Sequence, residues 1–564
     1  MITPSKRNFL ELVKNGKLPP LHKEIPYLHP HLIYESLASR NSFLLESMKG
    51  PMKIARYSFL GFDPYLIFKV KNGFIEIEGS EEIIKNPRLI KNNESTRANP
   101  PMSPFSKGGL RGITKEGKGE FENTIFIKEK ISFGKPLKIL KELVTSYKQM
   151  PFEHLPPFQG GAVGVLSYDF VQYLERLPKN TIDDLDLPDA HFLMIDKLVA
   201  FDHQEKKSWI IICPGARNAG TEWFDWSEKY DEAEHEIEKI LKKVTSHELR
   251  VTSKIPNSEF RIPNSSFVTR HSNPPIPPFT KGGQGGITKI EITYEMKKDE
   301  YMDIVKRAKE YIAAGDIFQA NLSQRVSAYI GDKSRWNFYK TLSSINPAPF
   351  AAYLDFGDYQ IVSSSPERLL KVRDGIIETR PIAGTRPRGK DYEEDELMRA
   401  ELLLNEKERA EHIMLVDLER NDLGRVSDYG TVRVDELMIT EDCSHVIHIV
   451  SNVRGRIADG KDCFDAIKAA FPGGTITGVP KIRCMEIIDE LEPVRRGPYT
   501  GSIGYVSFSG DMDLNIIIRT FVIKGKKAYV QVGAGIVADS DPDKEYYETL
   551  KKAEALIRTL ERVG

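Results

Sequence analysis

The sequence predicts an α/β protein whose sheet is antiparallel or mixed, with flanking helices, rather than a doubly wound parallel sheet. Three observations predict it. Strand-like runs follow one another through hairpin-like turns such as Lys524–Lys527. Amphipathic helical runs alternate with them, as in Asp299–Ala314, where Tyr301, Ile304, Val305 and Ala308 recur at helical spacing and Gly315 closes the run. A hydrophobic content of 40% over 564 residues is that of a globular chain long enough for more than one domain or lobe.

Taken in order, a short helical start precedes SFLLES (Ser42–Ser47) and RYSFLGFDP (Arg56–Pro64), which fit a strand, turn, strand layout. Residues 83–135 are polar and contain NPPMSPFSKGGLRGITK from Asn99, of which NPPIPPFTKGGQGGITK from Asn273 is a near copy. Two copies in poorly hydrophobic surroundings read as inserted low-complexity material and are expected to be mobile loops, since a solenoid needs adjacent units. Phe158–Asp202 reads as strands with an intervening helix. Its glycines 160, 161 and 164 lack the strand, GxGxxG, helix order of a dinucleotide site and point to close backbone packing. Asp225–Val244 is a charged amphipathic helix. These features divide the chain into an N-terminal region (1–244), a Pro/Gly-rich linker or insertion (245–290) and a C-terminal region (291–564). The last contains strand-like Gln319–Tyr329, Ala351–Phe356, Tyr359–Ser363, Val446–Val453, Gly501–Phe508, Asn515–Ile523 and Ala528–Val532, with helices at Asn405–Val426, Cys463–Ala470 and Ile482–Leu491.

A formal net charge of -1 gives no electrostatic case for nucleic acid. No apolar run approaches the roughly 20 residues that span a bilayer, so no membrane contact is expected. The start MITPSKRNFLELVKNG lacks the apolar core of a signal peptide, and a cytoplasmic location is the expectation. Cys213, Cys443, Cys463 and Cys484 are scattered without CxxC spacing and read as structural thiols.

The chemistry is organised around Asn405–Val426. Glu408 and Glu411, three apart, share one helix face above apolar Ile413, Met414, Leu415, Val416 and Leu418. A lone ExxE is ordinarily a solvated helix edge, but a second pair, Glu545 and Glu548, occurs near the C-terminus. Two facing pairs can hold one hard cation. Magnesium takes one or two carboxylates and a substrate anion; Glu411 and Glu548 would supply those carboxylates, leaving Glu408 and Glu545 to hold metal-bound waters or act as acid or base. The substrate is then itself a carboxylate. Anion-binding elements are Ala383–Thr385 and Gly533–Gly535, which offer backbone N–H groups, and Arg519. His448, in the apolar run VIHIV, is either a satisfied core residue or a proton carrier. Thr475, in a glycine loop, is either a turn residue or a hydroxyl donor to a leaving group. Ser363–Pro366 lacks a GxSxG elbow, which excludes a serine hydrolase.

Together these motifs resemble the chorismate-utilising enzymes, and within them component I of anthranilate synthase and of aminodeoxychorismate synthase. The carriers are SSSPERLL (Ser363), RPIAGTRPRG (Arg380), AEHIMLVDLERNDLGRV (Ala410), HIVSNVRG (His448), FPGGTITGVPK (Phe471), RRGPYTGSIGY (Arg495), IRT (Ile518) and GAGIVADSDP (Gly533). The resemblance spans nearly all of 293–564 and, less densely, the SFLLES, RYSFLGFDP and GGAVG stretches. It implies two large mixed or antiparallel β-sheets packed together with helices outside, so that the two halves interleave around one core. It implies Mg2+ on Glu411 and Glu548, and chorismate contacted by Gly384, Thr385, Tyr499, Arg519 and the backbone of Gly533, Ala534 and Gly535. By the same carry-over His448 and Thr475 lie near the leaving group, with Glu408 and Glu545 beside the metal.

Relatives that add water to chorismate carry a lysine base where this chain has Gln319, so ammonia is the implied nucleophile. It would come from a glutamine amidotransferase partner, because no GxCxG loop is present. Ala383 stands where many aminodeoxychorismate synthases have a lysine and thereby resembles anthranilate synthase. NPAPFAAYL (Asn346), ANLSQ (Ala320), FPGGTITG and DMDLNI (Asp511) resemble the aminodeoxychorismate branch, and 4-amino-4-deoxychorismate is the expected product, with anthranilate as the alternative. Leu44–Ser47 match the motif bordering the inhibitor pocket of anthranilate synthases, while the altered NPSPY position argues against tryptophan inhibition. An inactive scaffold binding an aromatic amino acid at the SFLLES pocket is the remaining reading, and the intact Glu408, Glu411, Glu545, Glu548 and Arg519 oppose it.

Overall fold

The computed structural model describes residues 1–51, 53–80, 124–130, 135–219, 225–252, 290–442 and 446–563. Both Pro/Gly-rich copies and Cys443 lie outside the described residues.

Two 12-stranded sheets form among the described residues, and in each one strand lies off the main path: Gly478–Val479 pairs with Gln319–Tyr329 in the first, and Arg433–Asp442 pairs with Val446–Arg456 in the second. The first runs, edge to edge, through Leu21–Ile25, Lys207–Ile212, Lys197–Asp202, Tyr57–Gly61, Ser42–Glu46, Phe350–Asp355, Tyr359–Ser365, Thr520–Lys524, Lys527–Ile536, Gln319–Tyr329 and Ile292–Tyr294. The second runs through Ile382–Pro387, Val446–Arg456, Ile376–Thr379, Arg368–Arg373, Met512–Asn515, Ser502–Ser507, Gly161–Leu166, Ala190–Ile195, Leu66–Lys71, Phe74–Ser80 and Thr124–Lys130. Neighbours in both sheets pair antiparallel, as the hairpin spacing predicts. Strands from before residue 213 and after residue 291 enter both sheets.

The inner faces meet in one apolar layer, where Phe43, Phe59 and Leu198 of the first sheet pack with Ile67, Val163, Leu193 and Ile503 of the second. Helices cover the outer face of the first sheet: Phe9, Ile33, Ile237, Phe338 and Leu556 are buried there with Leu44, Val199 and Phe521. On the far side of the second sheet, Leu140, Ile467 and Phe464 are buried with Phe68, Phe192 and Leu370. Alternation therefore builds a three-layer core: each strand sends one set of side chains between the sheets and the other under helices.

Several predicted elements recur with small end shifts. The strand Gln319–Tyr329 and the helix Cys463–Ala470 match residue for residue, and the acidic helix spans Glu406–Gly424. Asn515–Ile523 requires correction: it is not one strand. Met512–Asn515 ends in the second sheet, and Thr520–Lys524 begins in the first. The chain crosses between sheets at residues 516–519, with Arg519 in the left-handed region at φ 52. The helix expected within Phe158–Asp202 is a short 3-10 turn, Tyr168–Tyr173.

Candidate functional site

The acidic helix begins at Asn405, whose side chain accepts the Glu408 N–H at 3.0 Å and so satisfies one of the orphan donors of the first turn. Its buried side, through His412, Leu415 and Val416, lies on the strands Val446–Arg456 and Ile382–Pro387. The opposite half comes from Pro542–Lys552, capped by Asp541 and packed on Lys527–Ile536. One acidic helix thus rides on each sheet.

Gln319 links them to the floor: its Nε2 donates to Glu411 Oε1 at 2.8 Å. Glu408 Oε1 accepts from Arg386 at 3.2 Å, and Glu548 pairs with Lys552 at 2.9 Å. Burial pushes the Glu411 carboxyl above its usual range, and the charges of Glu408 and Glu548 add to this. Burial also raises Glu545, helped by Glu548. The structure therefore brings the two predicted pairs into one electrostatic field. Carboxyls that raise one another are a donor set suited to a hard cation, and the residues present fit Mg2+ held by Glu411 and Glu548. The four do not form a compact cage, since the group of three ligand-type residues whose atoms come within 4.8 Å of one another among the described residues is His29, His31 and Glu46. Magnesium, which keeps several waters, does not require such a cage.

The anion cradle is built by glycine. Gly384 has φ +67 at a bulge between Ala383 and Thr385, and a Cβ there would sit 2.9 Å from Glu408 Oε2. At Gly533 a Cβ would meet Asn321 Oδ1 at 2.7 Å and the Tyr499 hydroxyl at 2.8 Å. At Gly535 it would collide with the Gln319 amide. Ala534 is buried between them, facing Leu322 across the ladder. The glycines thus let Glu408, Tyr499 and Gln319 approach the backbone.

His448 Nδ1 lies 3.0 Å from Thr385 Oγ1 and 3.3 Å from the Gly384 carbonyl. A carbonyl only accepts, which assigns the ring proton to Nδ1. Nε2 is buried with no partner among the described residues, as are Gln319 Oε1 and Asn321 Oδ1. Burial, reinforced by the Arg519 charge, lowers His448 to about 4, so the ring is neutral near pH 7. Neither side of the reading of His448 as core residue or proton carrier is complete: it is buried and hydrogen-bonded at one nitrogen only.

Thr475 is not an idle turn residue. Its hydroxyl donates to Glu367 Oε1 at 2.9 Å. Burial pushes the Glu367 carboxyl up to about 8; the Thr475 hydroxyl and Arg519 charge oppose this and Glu419 adds to it. Burial thus favours the protonated form of Glu367 near neutral pH, opposed by the Arg519 charge, and sequence reasoning passed over this residue although it stands inside SSSPERLL. The serines before it are structural: Ser363 Oγ accepts from Thr520 at 2.8 Å, and Ser365 Oγ donates to the Ile516 carbonyl at 2.6 Å. Arg496 was also missed. Its guanidinium binds Glu492 at 2.6 Å and the Asn321 and Ile476 carbonyls at 2.6 and 3.0 Å, and lies over the Tyr499 ring at 5.7 Å. That hub fixes Tyr499 against the Gly533–Gly535 strand.

The predicted SFLLES pocket is a separate cavity of about 360 Å³, lined by Leu45, Glu46, Ser47, Pro349, Phe350 and Tyr505 among others.

Residues 111–558 match the model of the chorismate binding enzyme family. The chain is 41% identical over 546 residues to aminodeoxychorismate synthase component 1 of Bacillus subtilis (strain 168), covering 96% of this chain and 97% of the relative. It is 39% identical over 522 residues to anthranilate synthase component 1 of Acetivibrio thermocellus, covering 93% and 90%. Among solved structures, anthranilate synthase component I from Streptococcus pneumoniae TIGR4 superimposes with a TM-score of 0.65 at 32% identity, covering 95% of this chain and 99% of that one. The chain belongs to the chorismate binding enzyme family. Within it, the chain is a chorismate-utilising synthase component I, and identities of 41% and 39% do not separate the two activities of its relatives.

Proposed function

We propose that the chain aminates chorismate with glutamine-derived ammonia, in the presence of Mg2+, to give 4-amino-4-deoxychorismate and water. The observation that carries amination is the pairing of a neutral acid, Glu367 on Thr475, with a position 319 that has no base: Gln319 cannot take a proton from water and is already bonded to Glu411. Arg519, Tyr499 and the N–H groups around Gly384 and Gly533–Gly535 hold the substrate's carboxylates. Mg2+ bound by Glu411 and Glu548 would neutralise the carboxylate beside them. Glu367 gives its proton to the departing ring hydroxyl, which leaves as water, with the carboxyl oriented by Thr475. The nitrogen of ammonia bonds to the ring and loses one proton. His448, neutral, offers Nε2 as an acceptor to the substrate.

Ammonia comes from a glutamine amidotransferase partner. The described free cysteines, Cys213, Cys463 and Cys484, are buried, and burial pushes Cys463 and Cys484 up to about 12, which suits none of them to glutamine hydrolysis. The C4 product rests on NPAPF, ANLSQ, FPGGTITG and DMDLNI. A second reading, anthranilate with pyruvate, is favoured by Ala383, which offers no nucleophile to the ring. Incubation of the chain with chorismate, Mg2+ and ammonium, followed by mass and fluorescence analysis, tests both. An aminated product that retains the enolpyruvyl group is expected; fluorescent anthranilate overturns the choice, and unchanged chorismate overturns the activity.

A further inference from the structure

Glu46 ends the strand Ser42–Glu46, is 5% exposed, and pairs with no lysine or arginine among the described residues. Its partners are weaker. His31 Nε2 lies 2.9 Å from Glu46 Oε2, and the Tyr339 hydroxyl donates to the same oxygen at 2.7 Å. A buried carboxylate that no lysine or arginine pairs is a place where a cation is stabilised.

The neighbouring side chains are of the kind that would hold it. His29 caps the helix Pro30–Leu37, and its ring stands 4.6 Å from that of His31, at 76°. One ligand atom from each of His29, His31 and Glu46 falls within 4.8 Å of the others. In tetrahedral zinc, bonds of about 2.0–2.1 Å place ligand atoms about 3.3 Å apart, so a small rotation of the exposed His29 closes the set. Two imidazoles and a carboxylate leave one position for water. The supporting shell is also present. Tyr339 orients the carboxylate, and Trp336 lies edge-on to His31 at 5.3 Å while stacking on Tyr339 at 5.2 Å.

We propose that His29, His31 and Glu46 form a binding site for a borderline-soft divalent cation of the zinc class, separate from the paired glutamates. The set contains nitrogen donors, which Mg2+ does not favour and Zn2+ does, so the two sites sort their metals by ligand chemistry. The ion would tie the helix Pro30–Leu37 to the wall of the 360 Å³ cavity, which Glu46 lines.

Metal-stripped full-length chain, kept in excess Mg2+, is titrated with Zn2+ by calorimetry, and its thermal unfolding is followed with and without Zn2+. One Zn2+ per chain and a raised Tm are expected. His29→Ala, at an exposed position, abolishes that binding event while circular dichroism stays that of the parent; Tyr339→Phe weakens it about tenfold. Absence of stoichiometric binding to the parent overturns the site, and so does unchanged binding by His29→Ala, which would place the zinc elsewhere. Glu46→Gln, which keeps the shape of the side chain, must also lose the ion; retention contradicts the assignment.

Discussion

Glu367 is the side chain on which the proposed proton transfer turns, and its burial makes the chemistry pH-dependent. Only the protonated form donates, so kcat falls as pH rises through about 8. Glu367→Gln is expected to lower kcat by roughly 10²–10⁴ with little change in KM and to abolish that alkaline limb; pH profiles of both proteins check this. Stability follows the same sign. The folded state holds this proton more tightly than the unfolded state, so the contribution is complete below the ordinary carboxyl range and is lost as pH rises toward about 8, with a slope approaching about 1.4 kcal/mol per pH unit. Glu367→Gln should therefore flatten the decline of Tm between pH 5 and 8. For the metal, Glu411→Gln and Glu548→Gln are each expected to abolish Mg2+-dependent turnover with unfolding curves unchanged, and near-normal turnover in either refutes the assignment. At this scale the sequence revealed residue types but not their surroundings. Glu408, Glu411, Glu545 and Glu548 stood out as candidates because two pairs repeat a spacing. Glu367 was not, since nothing in SPERLL announces that its carboxyl is sealed from water.

Elements convert those residues into a site. Gly535 faces Asn321 across the antiparallel ladder and leaves room for the Gln319 amide that bonds Glu411. Gly535→Ala is expected to displace that amide and raise KM for chorismate at least tenfold, with far-ultraviolet circular dichroism unchanged; steady-state kinetics decide it. Loss of the cap in Asn405→Ala should cost about 1 kcal/mol, read from denaturant midpoints. Gln319–Tyr329 and Cys463–Ala470 were legible because strand alternation and helical period persist over their whole lengths. Asn515–Ile523 misled for the same reason: its apolar text continues through Ile516, Ile517 and Ile518 while the backbone leaves one sheet for the other. Periodicity records burial, and Ile516 and Ile517 stay buried through the crossing. The positive φ of Arg519 carries no glycine to betray it.

At the scale of the whole molecule, both sheets interleave strands from the two ends of the chain. Phe350–Asp355 pairs with Ser42–Glu46, and Ser502–Ser507 pairs with Gly161–Leu166. A fragment of residues 291–564 would expose those strand edges and half of the layer between the sheets, and it is expected to be insoluble or inactive despite carrying every proposed catalytic residue. Soluble, active fragment would show that the C-terminal region is autonomous. No local pattern in the sequence discloses this interleaving, because it is made by pairings over several hundred residues; the family motifs carried it instead. No helix among the described residues is long and apolar enough to cross a membrane. The central claim, amination at C4, leaves the enolpyruvyl group in place, whereas anthranilate formation releases it. The most direct measurement is pyruvate released per chorismate consumed by the purified chain with Mg2+ and ammonium: a ratio near zero is predicted, and a ratio near one would contradict the account.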